Sequence, residues 1–315
     1  MLAVQTERLS KVFERREGKR RTSHVAVDAV DLAVDLGEAI AFIGPNGAGK
    51  STTIKMLTGI LHPSSGEARV LGLVPWQSRT RLAHEIGTVF GQRSQLWFHL
   101  PAGDTLRLLG AIYELPPALV RQRTGELVER FALGDLLAVP VRKLSLGQRM
   151  RFEIAASLLH RPKVLFLDEP TVGLDVIAKA EVREVIREAN QGGATVFLTS
   201  HDAGDIESIA RRAIVIDRGR IVFDDKVSNL RRQWLTEKVV ELRSEEEVEP
   251  PEIPGVLVEK VSRYGLRLRF STQELQVRQV VGLLLERYPV HDITISDPPL
   301  ESVIAAIYQG EAALR

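Results

Sequence analysis

Residues 39–52 constrain the fold more than any other stretch of this chain. The apolar run Ala39-Ile40-Ala41-Phe42-Ile43 passes straight into Gly44-Pro45-Asn46-Gly47-Ala48-Gly49-Lys50-Ser51-Thr52, and residues 51–61 read as a continuing helix. Strand, glycine-rich loop and helix in this order form the setting in which such a loop holds phosphate. The glycines let the backbone wrap anionic oxygens, and the helix N-terminus aims unsatisfied N–H groups at them. Lys50 adds a positive charge near the β- and γ-phosphates of a nucleoside triphosphate, and the Ser51 hydroxyl suits Mg²⁺. An ordinary glycine-rich turn before a helix would show the same glycines, but the flanking strand and helix weigh against that plainer reading.

Around this loop the hydrophobic pattern changes three times. Residues 1–92 read as β-rich, with alternation over residues 25–36 (VAVDAVDLAVDL) as in a half-exposed strand. Residues 93–150 form a helical insert: apolar side chains recur at helical spacing over 103–113 and 117–131, punctuated by Pro116-Pro117. A further helix is expected over 151–159. From Val164 onward, buried strands at 164–167, 194–199 and 213–216 alternate with helices, which predicts a mostly parallel sheet covered on both faces. With 315 residues there is room for a second, smaller domain. The pattern predicts a nucleotide-binding domain over 1–230, a linker over 231–254 containing the acidic, proline-rich SEEEVEPPEIP, and a small α+β domain over 255–315. In that last part strands are expected at 256–261, 266–270 and 292–296, with helices at 275–287 and 300–308.

The sheet supplies chemistry at its strand ends. Val164-Leu165-Phe166-Leu167 buries itself and leaves Asp168-Glu169 at its C-terminal end, where open α/β sheets bind ligands. There Asp168 can hold Mg²⁺ through water, and Glu169 can polarise an attacking water as general base. A buried strand that merely ends in acidic residues is the alternative, and the upstream phosphate loop disfavours it. Leu198-Thr199-Ser200-His201-Asp202 closes a later strand, placing an imidazole able to hydrogen-bond a phosphate and orient Glu169.

Leu144-Ser145-Leu146-Gly147-Gln148, standing shortly before the second strand motif, resembles the LSGGQ signature of the ABC ATPases and differs from it only at Leu146. Six motifs in the family's order, spanning roughly residues 2–230, carry this resemblance. It implies an α/β P-loop NTPase fold with an N-terminal β-subdomain and helical insert, ATP and Mg²⁺ as ligands, and ATP hydrolysis. It also implies a second ATPase subunit, most simply another copy of the chain. Ser145 and the N–H of Gly147, with Gln148 beside them, would then act on ATP held by Lys50 of that copy, where the helix dipole favours the anion. Leu146 keeps its backbone N–H but restricts the backbone and needs room for its side chain.

The same resemblance assigns catalysis to Glu169, His201, Lys50 and Gln92, and metal contacts to Ser51, Gln92 and Asp168. Gln92, in Ile86-Gly87-Thr88-Val89-Phe90-Gly91-Gln92, stands where the family has a glutamine joining the nucleotide to the insert; Gln95 is a nearby competitor. Asp175, in Thr171-Val172-Gly173-Leu174-Asp175, falls at the expected subunit junction. Phe13 occupies the place of an aromatic that stacks on adenine, and strand core is the alternative reading.

Val74-Pro75-Trp76, the run VFGQRSQLWFHLP and the late DPPLESVIAAIY resemble a bacterial ABC type 2 exporter branch, in which separate permease chains span the membrane. Trp97, Phe98 and Leu100 then line either a groove for a permease helix or the packing between insert and sheet. A basic run, ERREGKRR at 14–21, reads as a solvated hairpin tip, with contact to acidic lipid as the alternative. No apolar run is long enough for a membrane span and the first residues lack a signal peptide's apolar core, so the expected location is cytoplasmic, on the inner face of the membrane through permeases. Zero cysteines exclude disulfides and thiolate chemistry, and 42 basic against 41 acidic residues give no support to nucleic-acid binding. Two alternatives remain at this stage: a soluble ABC ATPase acting on ribosomes or DNA, and an importer ATPase with a regulatory C-terminal domain.

Overall fold

The structure, a computed structural model, describes residues 1–17, 20–91, 94–234 and 237–298. Its contacts divide the chain into two units, Met1–Val227 and Ser228–Arg315.

The first unit opens with β1 (Leu2–Glu17) and β2 (Arg20–Asp35), a long antiparallel hairpin. Then follow β3 (Ala39–Ile43), α1 (Lys50–Leu57) and β4 (Ser65–Val70), the last pairing with the free edge of β1. α1 is shorter than the expected 51–61, because Thr58 caps it and Gly59 turns the chain at a left-handed φ of +73°. α2 (Arg79–Ala83) leads to β5 (Ile86–Phe90). The insert supplies α3 (Ala102–Ile112) and α4 (Pro117–Arg130), and the signature opens α5 (Leu146–Leu158). Alternation resumes with β6 (Val164–Asp168), α6 (Val176–Gln191), β7 (Thr195–Thr199), α7 (Ala203–Ile209), β8 (Arg212–Asp217) and β9 (Arg220–Lys226).

The central sheet runs β5-β6-β7-β3-β8-β9, parallel throughout except for β9, which pairs antiparallel with β8. Its interior strands β3, β6 and β7 are buried at nearly every position because both faces are covered. In β6, Val164 and Phe166 pack with the β-subdomain and α1 on one face, while Leu165 and Leu167 pack with α3, α5 and α6 on the other. Phe42, Phe166 and Phe197 interlock on the first face, with ring centroids 5.2 and 5.5 Å apart. β3 takes an interior place, so the loop after it emerges between β7 and β8 at the C-terminal edge of the sheet.

In the second unit α8 (Val227–Trp234), which starts at the boundary, precedes β10 (Glu237–Ser244), β11 (Val256–Ser262), β12 (Gly265–Ser271), α9 (Val277–Arg287) and β13 (Val290–Ser296). The antiparallel order is β11-β12-β10-β13, and Val240, Leu242, Leu266, Leu268 and Phe270 pack against Val280 and Leu284 of α9. This corrects the expected linker at 231–254: β10 is an interior strand of the sheet. Its short apolar alternation was outweighed by the charges and prolines that follow. Those also pack, since Val248 is buried and Tyr288 Oη donates to Glu249 O at 2.6 Å. The helix expected at 300–308 lies outside the described residues.

Candidate functional site

The phosphate loop is pressed between β8 and β2. A Cβ at Gly44 would lie 2.3 Å from Ile216 O, and one at Gly49, where φ is +111°, would lie 2.4 Å from Ala26 O. Only glycine fits either place, and the tight course of the backbone follows from that. Lys50 is 5% exposed, and its ammonium donates to Gly44 O at 2.6 Å and Pro45 O at 3.2 Å. Burial lowers its pKa, while the charges of Glu169 and Asp168 oppose that shift. No acidic residue lies in the first turn of α1, so its N-terminus is left to an anion.

Facing Lys50 are the two carboxylates at the end of β6. The Thr199 hydroxyl donates to Asp168 Oδ1 at 2.7 Å, and the Glu169 N–H donates to the carbonyl and hydroxyl oxygens of Thr199, both at 3.1 Å. Glu169 holds a left-handed φ of +55°, which costs a non-glycine residue about 1 kcal/mol. That turn aims its carboxylate at His201, whose Nε2 stands 2.8 Å from Glu169 Oε1. The same nitrogen is 3.4 Å from Lys50 Nζ. A carboxylate only accepts, so the imidazole proton sits on Nε2 and points at Glu169; the Lys50 approach is charge proximity and no hydrogen bond.

Of these groups Lys50, Asp168 and Glu169 border a cleft of ≈ 600 Å³; His201 does not line it and meets it through Glu169. Of the predicted loop residues, Pro45, Asn46, Gly47, Gly49, Lys50, Ser51 and Thr52 line it. Gly44 receives the Lys50 ammonium, and Ala48 is buried in the core. Asp168 and Glu169 form one wall, and Phe13, His24 and Ala26 of the hairpin form another. Phe13 is 41% exposed at the cleft, which removes the strand-core alternative, and Lys11 Nζ lies 5.4 Å from its ring centroid. Gln92 lies outside the described residues. Its competitor Gln95 is committed elsewhere: its side-chain amide donates to Glu153 O at 3.0 Å, and its backbone N–H to Glu153 Oε2 at 3.2 Å. Ser94 also hydrogen-bonds the Glu153 carboxylate, so the segment after Gln92 is fastened to α5. Glu153 is 5% exposed, and burial raises its pKa.

Ser145, Gly147, Gln148 and Asp175 do not line this cleft. Ser145 caps α5 in a reciprocal box: Gln148 N–H donates to Ser145 Oγ at 3.2 Å, and Ser145 N–H donates to Gln148 Oε1 at 2.9 Å. Asp175 caps α6 by accepting from Ala178 N–H at 2.9 Å. The two caps are neighbours, because Gly147 packs toward Ala178 and Leu146 lies over Gly173. The unusual leucine thus has its room: Leu146 Cδ2 is 2.6 Å from where a Cβ on Gly173 would stand. Around it Leu146, Val172, Val176 and Ile177 are exposed apolar residues.

Sequence pattern gave no sign of Thr199 as the partner of the Asp168 carboxylate and of the Glu169 N–H, nor of His24 in the cleft. Thr199 could have been suspected as the one polar side chain beside Ser200 and His201 at a strand end. His24 becomes visible only through its cross-strand pairing with Phe13.

A phosphate-wrapping loop, a carboxylate–imidazole pair and a neighbouring lysine at the edge of one parallel sheet define a P-loop nucleotide hydrolase. Residues 27–172 match the ABC transporter family model. The chain is 37% identical over 220 residues to the daunorubicin resistance ATP-binding protein DrrA3 of Streptomyces coeruleorubidus, an alignment covering 70% of this chain and 68% of that protein. A solved ATP-binding subunit of an ABC transporter is 27% identical with a TM-score of 0.65, over 74% of this chain and 93% of that one. A dimeric ATP-binding cassette bound to ADP and Pi shares the fold at 24% identity, with a TM-score of 0.64 over 71% of this chain and 98% of that one. The chain belongs to the ABC transporter ATP-binding proteins, and it is an ATPase.

Proposed function

We propose that the chain works as a head-to-tail homodimer on the inner face of a membrane, driving separate permease chains for export. The observation that carries the catalytic part is the Glu169–His201 pair, held at 2.8 Å beside Lys50. In this reading Glu169 takes the proton of the attacking water. His201 fixes the carboxylate through its Nε2 proton, and Lys50 holds the phosphate oxygens. The donor set fits Mg²⁺, since Ser51 offers a hydroxyl and Asp168 a carboxylate; Gln92 is the third ligand assigned. When bound, the metal neutralises charge on the phosphates. Phe13 provides the face on which adenine stacks.

The second copy supplies the rest. Ser145 Oγ accepts from its own helix, which leaves its proton for a phosphate oxygen of the other subunit, beside the Gly147 N–H. Gln148 serves this contact by holding the cap, and Asp175 by holding the start of α6 at the junction. Among the described residues no helix is long and apolar enough to cross a membrane, and the reading assigns that path to the permeases. Exposed Trp97 and Phe98 are the surface we assign to them; the Arg149 guanidinium lies 5.6 Å from the Phe98 ring, which fastens this surface to α5. Export is supported by the drug-resistance relative. Residues 228–315 are assigned as an accessory unit that leaves the ATPase chemistry to the first.

Glu169→Gln tests the mechanism. It should bind ATP, lose roughly 10²–10⁴-fold in turnover, and accumulate ATP-bound dimers on size-exclusion chromatography. A variant hydrolysing at the wild-type rate would sink the assignment.

A further inference from the structure

Asp205, on α7, has no exposed surface, and its carboxylate is met from the loops after Glu169 and before His201 and from α6. Ser200 Oγ donates to Asp205 Oδ2 at 2.6 Å, the Thr171 hydroxyl hydrogen-bonds the same oxygen, and Arg183 Nε donates to Oδ1 at 2.6 Å. Ser200 immediately precedes His201, and Thr171 follows Glu169-Pro170. On the other side of His201, Asp202 accepts from Lys179 Nζ at 2.5 Å and from Arg183 at 2.8 Å. We infer that Asp205 is a positioning residue for hydrolysis, binding the loops of Glu169 and His201 to α6 so that the three move as one body.

The chemistry favours a rigid anchor. A carboxylate removed from water is tolerated only when donors meet it, and here two hydroxyls and a guanidinium converge on it. Arg183 is itself confined: a Cβ at Gly204 would stand 2.8–3.0 Å from its guanidinium atoms, so glycine at 204 is what lets it lie there. Lys179 and Arg183 stand one turn apart in the first half of α6, whose N-cap is Asp175. A displacement of the start of α6, where Val176 and Ile177 are exposed, is therefore passed to both neighbours of His201. Among the described residues Asp205, Thr171, Ser200, Asp202 and Arg183 make no hydrogen bond to the phosphate loop, and His201 alone comes near its lysine. The effect of the network falls on the alignment of Glu169 and His201 and leaves ATP binding alone.

The inference rests on Glu169 and His201 acting at the phosphate. Thr171→Val and Ser200→Ala each remove one hydroxyl from Asp205 with little change in volume, so the full-length chain should still fold. Each should lower kcat for ATP hydrolysis roughly 10-fold while KM for ATP stays within about twofold. Thr171→Ser, which keeps the hydroxyl, should restore kcat. Wild-type kcat in both hydroxyl-deleted variants, or kcat and KM changing together, overturns the inference, as does failure of Thr171→Ser to recover activity. Glu169→Gln measured alongside separates the two ideas. An active Glu169→Gln removes the catalytic reading itself. An inactive one beside fully active Thr171→Val and Ser200→Ala removes only the role of Asp205.

Discussion

The nucleotide cleft and the signature face are built on opposite plans. In the cleft the catalytic charges are held by the same chain: Lys50 by two loop carbonyls, Asp168 by Thr199, and Glu169 by His201. On the signature face the capping bonds are satisfied, yet the helix N-terminus stands beside exposed Leu146, and Val176 and Ile177 at the start of α6 are exposed as well. In the proposed dimer one surface holds ATP with its own residues, and the other reaches the ATP of the second copy. Substitutions in the cleft should therefore register in the isolated chain, and those on the signature face only where two copies meet.

The sharpest test of that division is Lys50→Ala against Ser145→Ala. Removing the lysine deletes charge-assisted contacts worth about 1.5–3 kcal/mol, so ATP affinity of the monomer should fall roughly 10- to 100-fold by calorimetry. Ser145→Ala should leave that affinity unchanged and weaken only ATP-dependent dimerisation. Equal losses of monomer affinity would break the comparison.

A comparable effect, on stability and not on ATP, is expected behind the signature helix. His160, behind the signature helix, stacks on Tyr113 of the insert with ring centroids 3.8 Å apart, and its Nε2–H donates to Ile86 O at 2.9 Å. Burial pushes its pKa from 6.5 down to about 4. The unfolded chain thus takes up the proton first as pH falls. The stabilisation from the neutral ring is complete above pH 6.5 and is lost progressively toward pH 4, up to about 3 kcal/mol. His160→Phe keeps the stack and cannot titrate, so its Tm should fall less steeply between those pH values. A parallel acid limb in both proteins would count against this account.

How much of this was legible in advance depended on how far apart in sequence the cooperating residues lie. Residues 39–57 and 164–169 declared their strand, loop and carboxylates because each is a local pattern whose neighbours in space are its neighbours in the chain. The hairpin of β1 and β2 was only half visible: register shifts between Thr6 and Leu9 and between Leu9 and Lys11 break the two-residue period that marks a strand. β10 was hidden by the charges beside it. Thr199 with Asp168, Thr171 with Asp205 and Leu146 with Gly173 are pairs that only the fold creates. Sequence pattern has no means of showing such a pair, because each partner alone is an ordinary polar or apolar residue.

Leu146 offers the finest cut at the comparison, because it belongs to the signature yet rests on the loop that ends at Asp175. Gly173→Ala would place a methyl 2.6 Å from Leu146 Cδ2, at a φ of +75° that already disfavours a side chain. The leucine must then swing away and disturb the face on which the second copy docks. In a Glu169→Gln background, Gly173→Ala should weaken ATP-dependent dimerisation about 10-fold, leaving monomer affinity for ATP intact. Leu146→Gly alone should change it by no more than about threefold, since the side chain is half exposed and the backbone N–H survives. The double variant should recover the steric part of the loss, giving a coupling of at least about 0.5 kcal/mol between the positions. Strict additivity would mean that Leu146 does not bear on Gly173 in the dimer, and the signature would then meet the nucleotide independently of the loop beside it.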